Sequence, residues 1–142
     1  MSVQGQRVLL VDDDKAIRTV LHELLQFSGY EVIDCSDANE ALSVLDRGAG
    51  AISLMIADHA IPGMSGIALA RDVARTAPWI RTLIISGHRS PEAECRRIEG
   101  AAFLSKPFGS SDVLNAMRQL ALPQAKRSHS VPLRKPEIKV AL

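Results

Sequence analysis

The sequence predicts a three-layer α/β sandwich in which a parallel sheet of five strands lies between helices. Three observations carry this prediction. Four short runs are apolar throughout instead of alternating, the pattern of strands covered on both faces. The segments between them repeat apolar residues at helical spacing. Strands and helices take turns regularly along the chain, which argues for parallel pairing with crossover helices.

Val8-Leu9-Leu10-Val11 is the first strand, and Ile17, Val20, Leu21, Leu24 and Leu25 mark the first helix, which Gly29 stops. A weaker strand, Glu31 to Asp34, follows. Ala38, Ala41, Leu42 and Leu45 form the buried stripe of the second helix, and Gly48 ends it. Leu54-Met55-Ile56-Ala57 is the next strand, and Pro78 blocks extension of the third helix. Leu83-Ile84-Ile85 and Ala101-Ala102-Phe103-Leu104 are the last two strands, with a fourth helix expected between them. Val113, Leu114, Met117, Leu120 and Ala121 define the fifth helix, complete by about Leu122. One domain over 1–122 and a tail over 123–142 are therefore expected.

A chain of 142 residues buries a sufficient core without disulfides or structural metals. Its 46% apolar and 23% charged residues are ordinary for a soluble globular protein, which excludes disordered and fibrous classes. No apolar run approaches the roughly 18 residues of a membrane span, and the first residues lack the apolar stretch of a signal peptide. A cytoplasmic location is expected. Cys35 and Cys95 are isolated from each other and from any His at ligand spacing, so neither a zinc site nor a CxxC redox motif is drawn. The net charge of +1 is unevenly placed: residues 122–142 hold Lys126, Arg127, Arg134, Lys135 and Lys139 against Glu137, leaving the rest of the chain acidic. A solvated terminus with Pro123, Pro132 and Pro136 explains this tail more simply than nucleic-acid contact does.

What stands at the end of each strong strand is chemically informative: Asp12, Asp13 and Asp14, then Asp58, then Ser86, then Lys106. In an open parallel sheet, ligands bind outside the carboxyl ends of the strands at a topological switch point, so these side chains are expected to converge. Clustered carboxylates repel unless a cation neutralises them, and hard oxygen donors without His or Cys favour Mg²⁺. A carboxylate beside Mg²⁺ and Lys106 is a usable nucleophile toward phosphorus, which suggests an aspartyl phosphate. Helix capping by Asp and a turn at Ser-Gly would explain any one position, but not four strand ends together.

These residues closely resemble the receiver domain of two-component response regulators over roughly 7–121. Val11-Asp12-Asp13-Asp14 is similar to the family's acidic cluster, and the segment from Asp58 to Gly66 fits its D-x-x-x-P-G-M-x-G pattern. Ile84-Ile85-Ser86-Gly87 is similar to the strand with the switch hydroxyl, and Lys106-Pro107-Phe108 to the family's final Lys-Pro-Phe. The resemblance implies a doubly wound, flavodoxin-like sheet of order 2-1-3-4-5. It implies Asp58 as phosphoacceptor, Mg²⁺ held by Asp13, Asp58, Asp12 and the backbone carbonyl of Ala60, and Lys106 and Ser86 on the phosphoryl oxygens. It also implies a cis Lys106–Pro107 bond, and Ser86 with Phe103 as a switch pair whose exposed ring becomes buried on phosphorylation.

The resemblance also places Ala60 and His88 at the family's variable positions beside the attacking water's path, which would tune hydrolysis of the phosphorylated state, and His59 reads as a surface histidine. The expected donor is a sensor histidine kinase or a phosphotransfer protein. The expected output is a downstream protein or a second copy bound through residues 90–121, without membrane or nucleic-acid contact. The chain is expected to act as a phosphoacceptor and not as an enzyme with turnover. One alternative is a haloacid-dehalogenase-type phosphatase, since Asp12-Asp13-Asp14 contains D-x-D, but Ala16 stands where that family has Thr or Val. The other is the receiver part of a larger regulator or hybrid kinase.

Overall fold

In a computed structural model of the chain, residues 5–88 and 91–121 are described. The elements run β1 (Arg7–Val11), α1 (Lys15–Phe27), β2 (Glu31–Cys35), α2 (Ala38–Gly48), a 3₁₀ turn (Ala49–Ala51), β3 (Leu54–Asp58), α3 (Gly66–Thr76), β4 (Arg81–Ser86), α4 (Glu92–Arg96), β5 (Ala101–Ser105) and α5 (Ser110–Ala121). The five strands form one parallel sheet of order β2-β1-β3-β4-β5, as expected. The tail over 123–142 lies outside the described residues.

The strand order follows from the chain's path. From β1 it moves outward to the edge strand β2, then returns past β1 to β3 and continues the other way. That reversal opens a crevice between the carboxyl ends of β1 and β3. Alternation of side chains splits the core into two layers. Leu9, Val11, Met55, Ala57, Ile84 and Phe103 face α2, α3 and α4, whereas Val8, Leu10, Leu54, Ile56, Leu83 and Ile85 face α1 and α5. Every residue of β3 is buried, while β2, at the sheet edge, keeps Glu31 and Asp34 exposed. That contrast explains why β2 is the weakest strand signal in the sequence.

Helix boundaries have local causes. After α1 the backbone turns at Gly29, φ 103°, a left-handed conformation that costs glycine little. The Tyr30 amide then donates to Leu25 O at 3.1 Å, closing the turn. The fourth helix is short, with only five residues. Arg97 donates to Glu94 O and Ile98 to Cys95 O, so the chain leaves α4 in tight turns. Only Cys95 and Ile98 of this stretch are buried, too few to fix a longer amphipathic face.

Candidate functional site

The four strand ends singled out in the sequence meet at one edge of the sheet. At the end of β1 the ladder continues one residue further, with the Asp12 amide donating to Cys35 O at 3.0 Å. Asp12 is buried, and its Oδ1 accepts from the Asp14 amide at 2.9 Å. Asp13 is exposed. Asp14 turns to α1 instead, where its carboxylate caps the helix by accepting from the amides of Ala16 and Ile17 at 2.9 and 3.2 Å.

Asp58 ends β3 and is buried, and its carboxylate accepts from the Ala60 amide. Lys106 reaches it from beyond β5, Nζ standing 3.6 Å from Oδ2. The Lys106 amide donates to Ser86 O at 2.9 Å, which ties the end of β5 to β4. The Lys106–Pro107 bond is cis, as expected. Ser86 is buried, and its Oγ accepts from the His88 amide at 3.0 Å.

Asp12, Asp13 and Asp58 each place a carboxylate oxygen within 4.8 Å of the others. Burial pushes the Asp12 carboxyl up to about 6, with the negative charge of Asp58 adding to it. Burial also raises Asp58, against the pull of Lys106 and the Ala60 amide. The cluster thus holds more negative charge than Lys106 offsets. Its donors are all hard oxygens, a set suited to Mg²⁺ and unsuited to a thiophilic metal.

Two expectations need adjusting. Phe103 is not an exposed ring: it is already buried, 5% exposed, in the layer that holds Ile84, Cys95 and Ile98. His59 is half-buried instead of lying on the surface. Its Nδ1 is enclosed without a hydrogen-bond partner among the described residues. Its backbone is fixed at both ends, the amide donating to Ile85 O and the carbonyl accepting from Gly66, each at 2.8 Å. In the nominated partner face, residue 90 lies outside the described residues. Ala60 and His88 are both exposed.

Two contributors carried no physical reason in the sequence. A Cβ on Gly66 would stand 2.7 Å from Asp58 O and 2.8 Å from His59 Cα, so only glycine fits beneath the Asp58 loop. Arg18 Nη1 donates to Asp12 O at 2.6 Å. Nothing in the sequence distinguishes it from an arginine on a solvated helix face.

A parallel α/β sandwich with an acid cluster, a lysine and a buried hydroxyl at its carboxyl edge defines a class of phosphate-handling signalling domains. The family described as response regulator receiver domain matches residues 8–118. The chain belongs to this family. It is 34% identical over 120 residues to response regulator protein FleR of Pseudomonas aeruginosa, covering 83% of this chain and 25% of FleR.

Among solved structures, a receiver domain protein from Clostridium thermocellum is similar with TM-score 0.74 and 27% identity, over 81% of this chain and 93% of that one. The response regulator TrrA of Thermotoga maritima, solved in complex with Mg²⁺ and BeF, has TM-score 0.73 and 25% identity, over 81% of this chain and 98% of its own. The chain spans 12–25% of the length of several curated relatives it matches. It is a receiver domain of two-component phosphorelay signalling, and the phosphatase alternative is not favoured. Receiver domains bind Mg²⁺ at an acidic pocket of this composition. No helix among the described residues is long and apolar enough to cross a membrane.

Proposed function

We propose that Asp58 accepts a phosphoryl group from a sensor histidine kinase or a phosphotransfer protein, and that Asp12, Asp13, Asp58 and the Ala60 carbonyl hold Mg²⁺ for the transfer. The observation that carries this reading is the convergence of three carboxylates with Lys106, which stands 3.6 Å from Asp58. Bound Mg²⁺ neutralises charge on phosphoryl oxygens.

The chain's own residues supply the rest. A carboxylate oxygen of Asp58 bonds to phosphorus as the phosphorus–nitrogen bond of a phosphohistidine breaks. Lys106 then shifts its ammonium from the carboxylate to a phosphoryl oxygen. Ser86 Oγ accepts a hydrogen bond from the His88 amide, which leaves its hydroxyl proton to donate to another phosphoryl oxygen. That donation biases the domain toward a second conformation. Ile84, two residues before Ser86, pairs with Phe103, so movement of β4 reaches the ring by repacking. A downstream protein or a second copy reads the change through residues 90–121. Ala60 offers no side-chain group to orient an attacking water, so the phosphoryl lifetime turns on whether His88 orients that water or shields the phosphoryl group.

Incubation with acetyl phosphate and Mg²⁺ is expected to load one phosphoryl group per chain, measured by intact mass, and none in EDTA. Continuous release of phosphate from small esters such as p-nitrophenyl phosphate would replace this reading with a phosphatase.

Asp13 and Asp14 are expected to separate cleanly. Asp13→Ala weakens Mg²⁺ binding, while Asp14→Ala leaves it nearly intact and costs about 0.5–2 kcal/mol of stability by removing the α1 cap. Calorimetric Mg²⁺ titration and urea unfolding of both variants check this. A larger loss of Mg²⁺ affinity in Asp14→Ala would mean that the acidic residues have been given the wrong roles.

A further inference from the structure

Arg18 lies outside the acid cluster, on α1, yet it touches the loop that carries it. Side chains of an α-helix lean toward its N-terminus, so a residue in the first turns of α1 is carried back over the β1–α1 loop. There Nη1 donates to the carbonyl of Asp12 at 2.6 Å. That carbonyl needs a donor. The paired register of β1 and β2 ends at Val11 and Cys35, and the residue it belongs to is 2% exposed. A backbone acceptor enclosed in this way is costly unless hydrogen-bonded. The other polar groups of Asp12 are fixed too, the amide by Cys35 O and Oδ1 by the Asp14 amide. With Arg18, Asp12 is held at amide, carbonyl and carboxylate together.

We propose that Arg18 is a positioning residue for divalent-cation binding: by clamping the Asp12 carbonyl, it fixes the carboxylates of Asp12 and Asp13 at the spacing a small hard cation requires. This inference rests on the reading of Asp12, Asp13 and Asp58 as the cation site. Mg²⁺ demands near-ideal octahedral geometry, whereas Ca²⁺ accepts varied ligand positions. Loosening the loop therefore penalises Mg²⁺ more than Ca²⁺, a distinction that loss of general stability does not produce. Loss of a partner that orients a metal ligand typically weakens metal binding by about 10- to 100-fold.

The test is titration of the full chain with Mg²⁺ and with Ca²⁺, followed by amide shifts of the β1–α1 loop, with melting in EDTA measured alongside. Arg18→Met is expected to bind Mg²⁺ about 10- to 100-fold more weakly, with a smaller loss for Ca²⁺. Arg18→Lys, which keeps the charge and a donor but not the planar fork, is expected to recover part of the loss. Leu120→Ala, which removes core packing from the last turn of α5, serves as the stability control. It is expected to melt lower and bind Mg²⁺ as the wild type does. Equal Mg²⁺ affinity in Arg18→Met and wild type, or equal losses in Arg18→Met and Leu120→Ala, would overturn the inference. If Arg18→Met does not fold, wild-type affinity in Arg18→Lys together with unchanged Mg²⁺/Ca²⁺ preference overturns it just as well. Absence of Mg²⁺ binding by the wild type would instead remove the underlying reading of the acid cluster.

Discussion

Asp58→Asn is expected to take no phosphoryl group from acetyl phosphate and, in EDTA, to melt above the wild type. The first effect is chemical, because an amide oxygen is a poor nucleophile toward phosphorus and no other carboxylate stands against Lys106 in the same way. Intact mass would read it as complete loss. The second effect comes from charge. Asp12 is buried and its carboxyl is pushed up to about 6 from an ordinary 3.8, partly by the charge of Asp58. A carboxyl whose value rises on folding costs the fold nothing below about 4. It then penalises the fold increasingly as pH rises, with the full penalty above about 6.

Removing the Asp58 charge lowers that penalty, though Lys106 loses its partner and part of the gain is offset. We expect a net gain in stability at pH 7 in EDTA that shrinks toward zero near pH 4. Saturating Mg²⁺ supplies the missing positive charge to the wild type and should close most of the gap. A variant that melts below the wild type in EDTA would show that the acid cluster is not strained. Residual labelling would show that Asp58 is not the sole acceptor.

Gly66→Ala is expected to lose about 1–3 kcal/mol of stability and most of its rate of phosphorylation. The added methyl meets the Asp58 carbonyl oxygen at 2.7 Å and the His59 Cα at 2.8 Å, both backbone atoms that no rotamer change can move aside. Relief must come from sliding α3 or lifting the loop. Lifting the loop breaks the hydrogen bond from the Gly66 amide to His59 O and carries Asp58 and Ala60 with it. By contrast, alanine at Gly48, where nothing lies within 4 Å of a Cβ, should be tolerated. Urea unfolding and acetyl phosphate kinetics on both variants measure the difference. Wild-type behaviour of Gly66→Ala would show that the contact is soft.

The contrast between these two glycines shows where the sequence could be read and where it could not. Strands β1, β3 and β4 were legible because burial on both faces demands unbroken apolar runs. The chemistry at their ends was legible because polar residues there interrupt an otherwise apolar pattern. Asp14 was also readable, as an acid at the start of a helix. The reason for Gly66 was not readable, since it depends on how closely α3 approaches the Asp58 loop across space. Nor was the contact of Arg18 with Asp12, because a helical arginine normally signals only a solvated face. The length of α4 escaped for an energetic reason: with only Cys95 and Ile98 buried, local pattern does not decide between helix and turns.

The edge strand β2 has a consequence for the behaviour of concentrated protein. No strand among the described residues pairs with its outer side, and an open edge of this kind is a template on which a second copy can add a strand and begin aggregation. Glu31 and Asp34 stand exposed on this five-residue strand, bound to Arg7 and His22 on neighbouring elements, at 2.9 and 2.7 Å. Two such edges brought together would set acidic side chains against one another and disturb both contacts. The same charges that make β2 hard to recognise in the sequence act as gatekeepers that keep the sheet from growing.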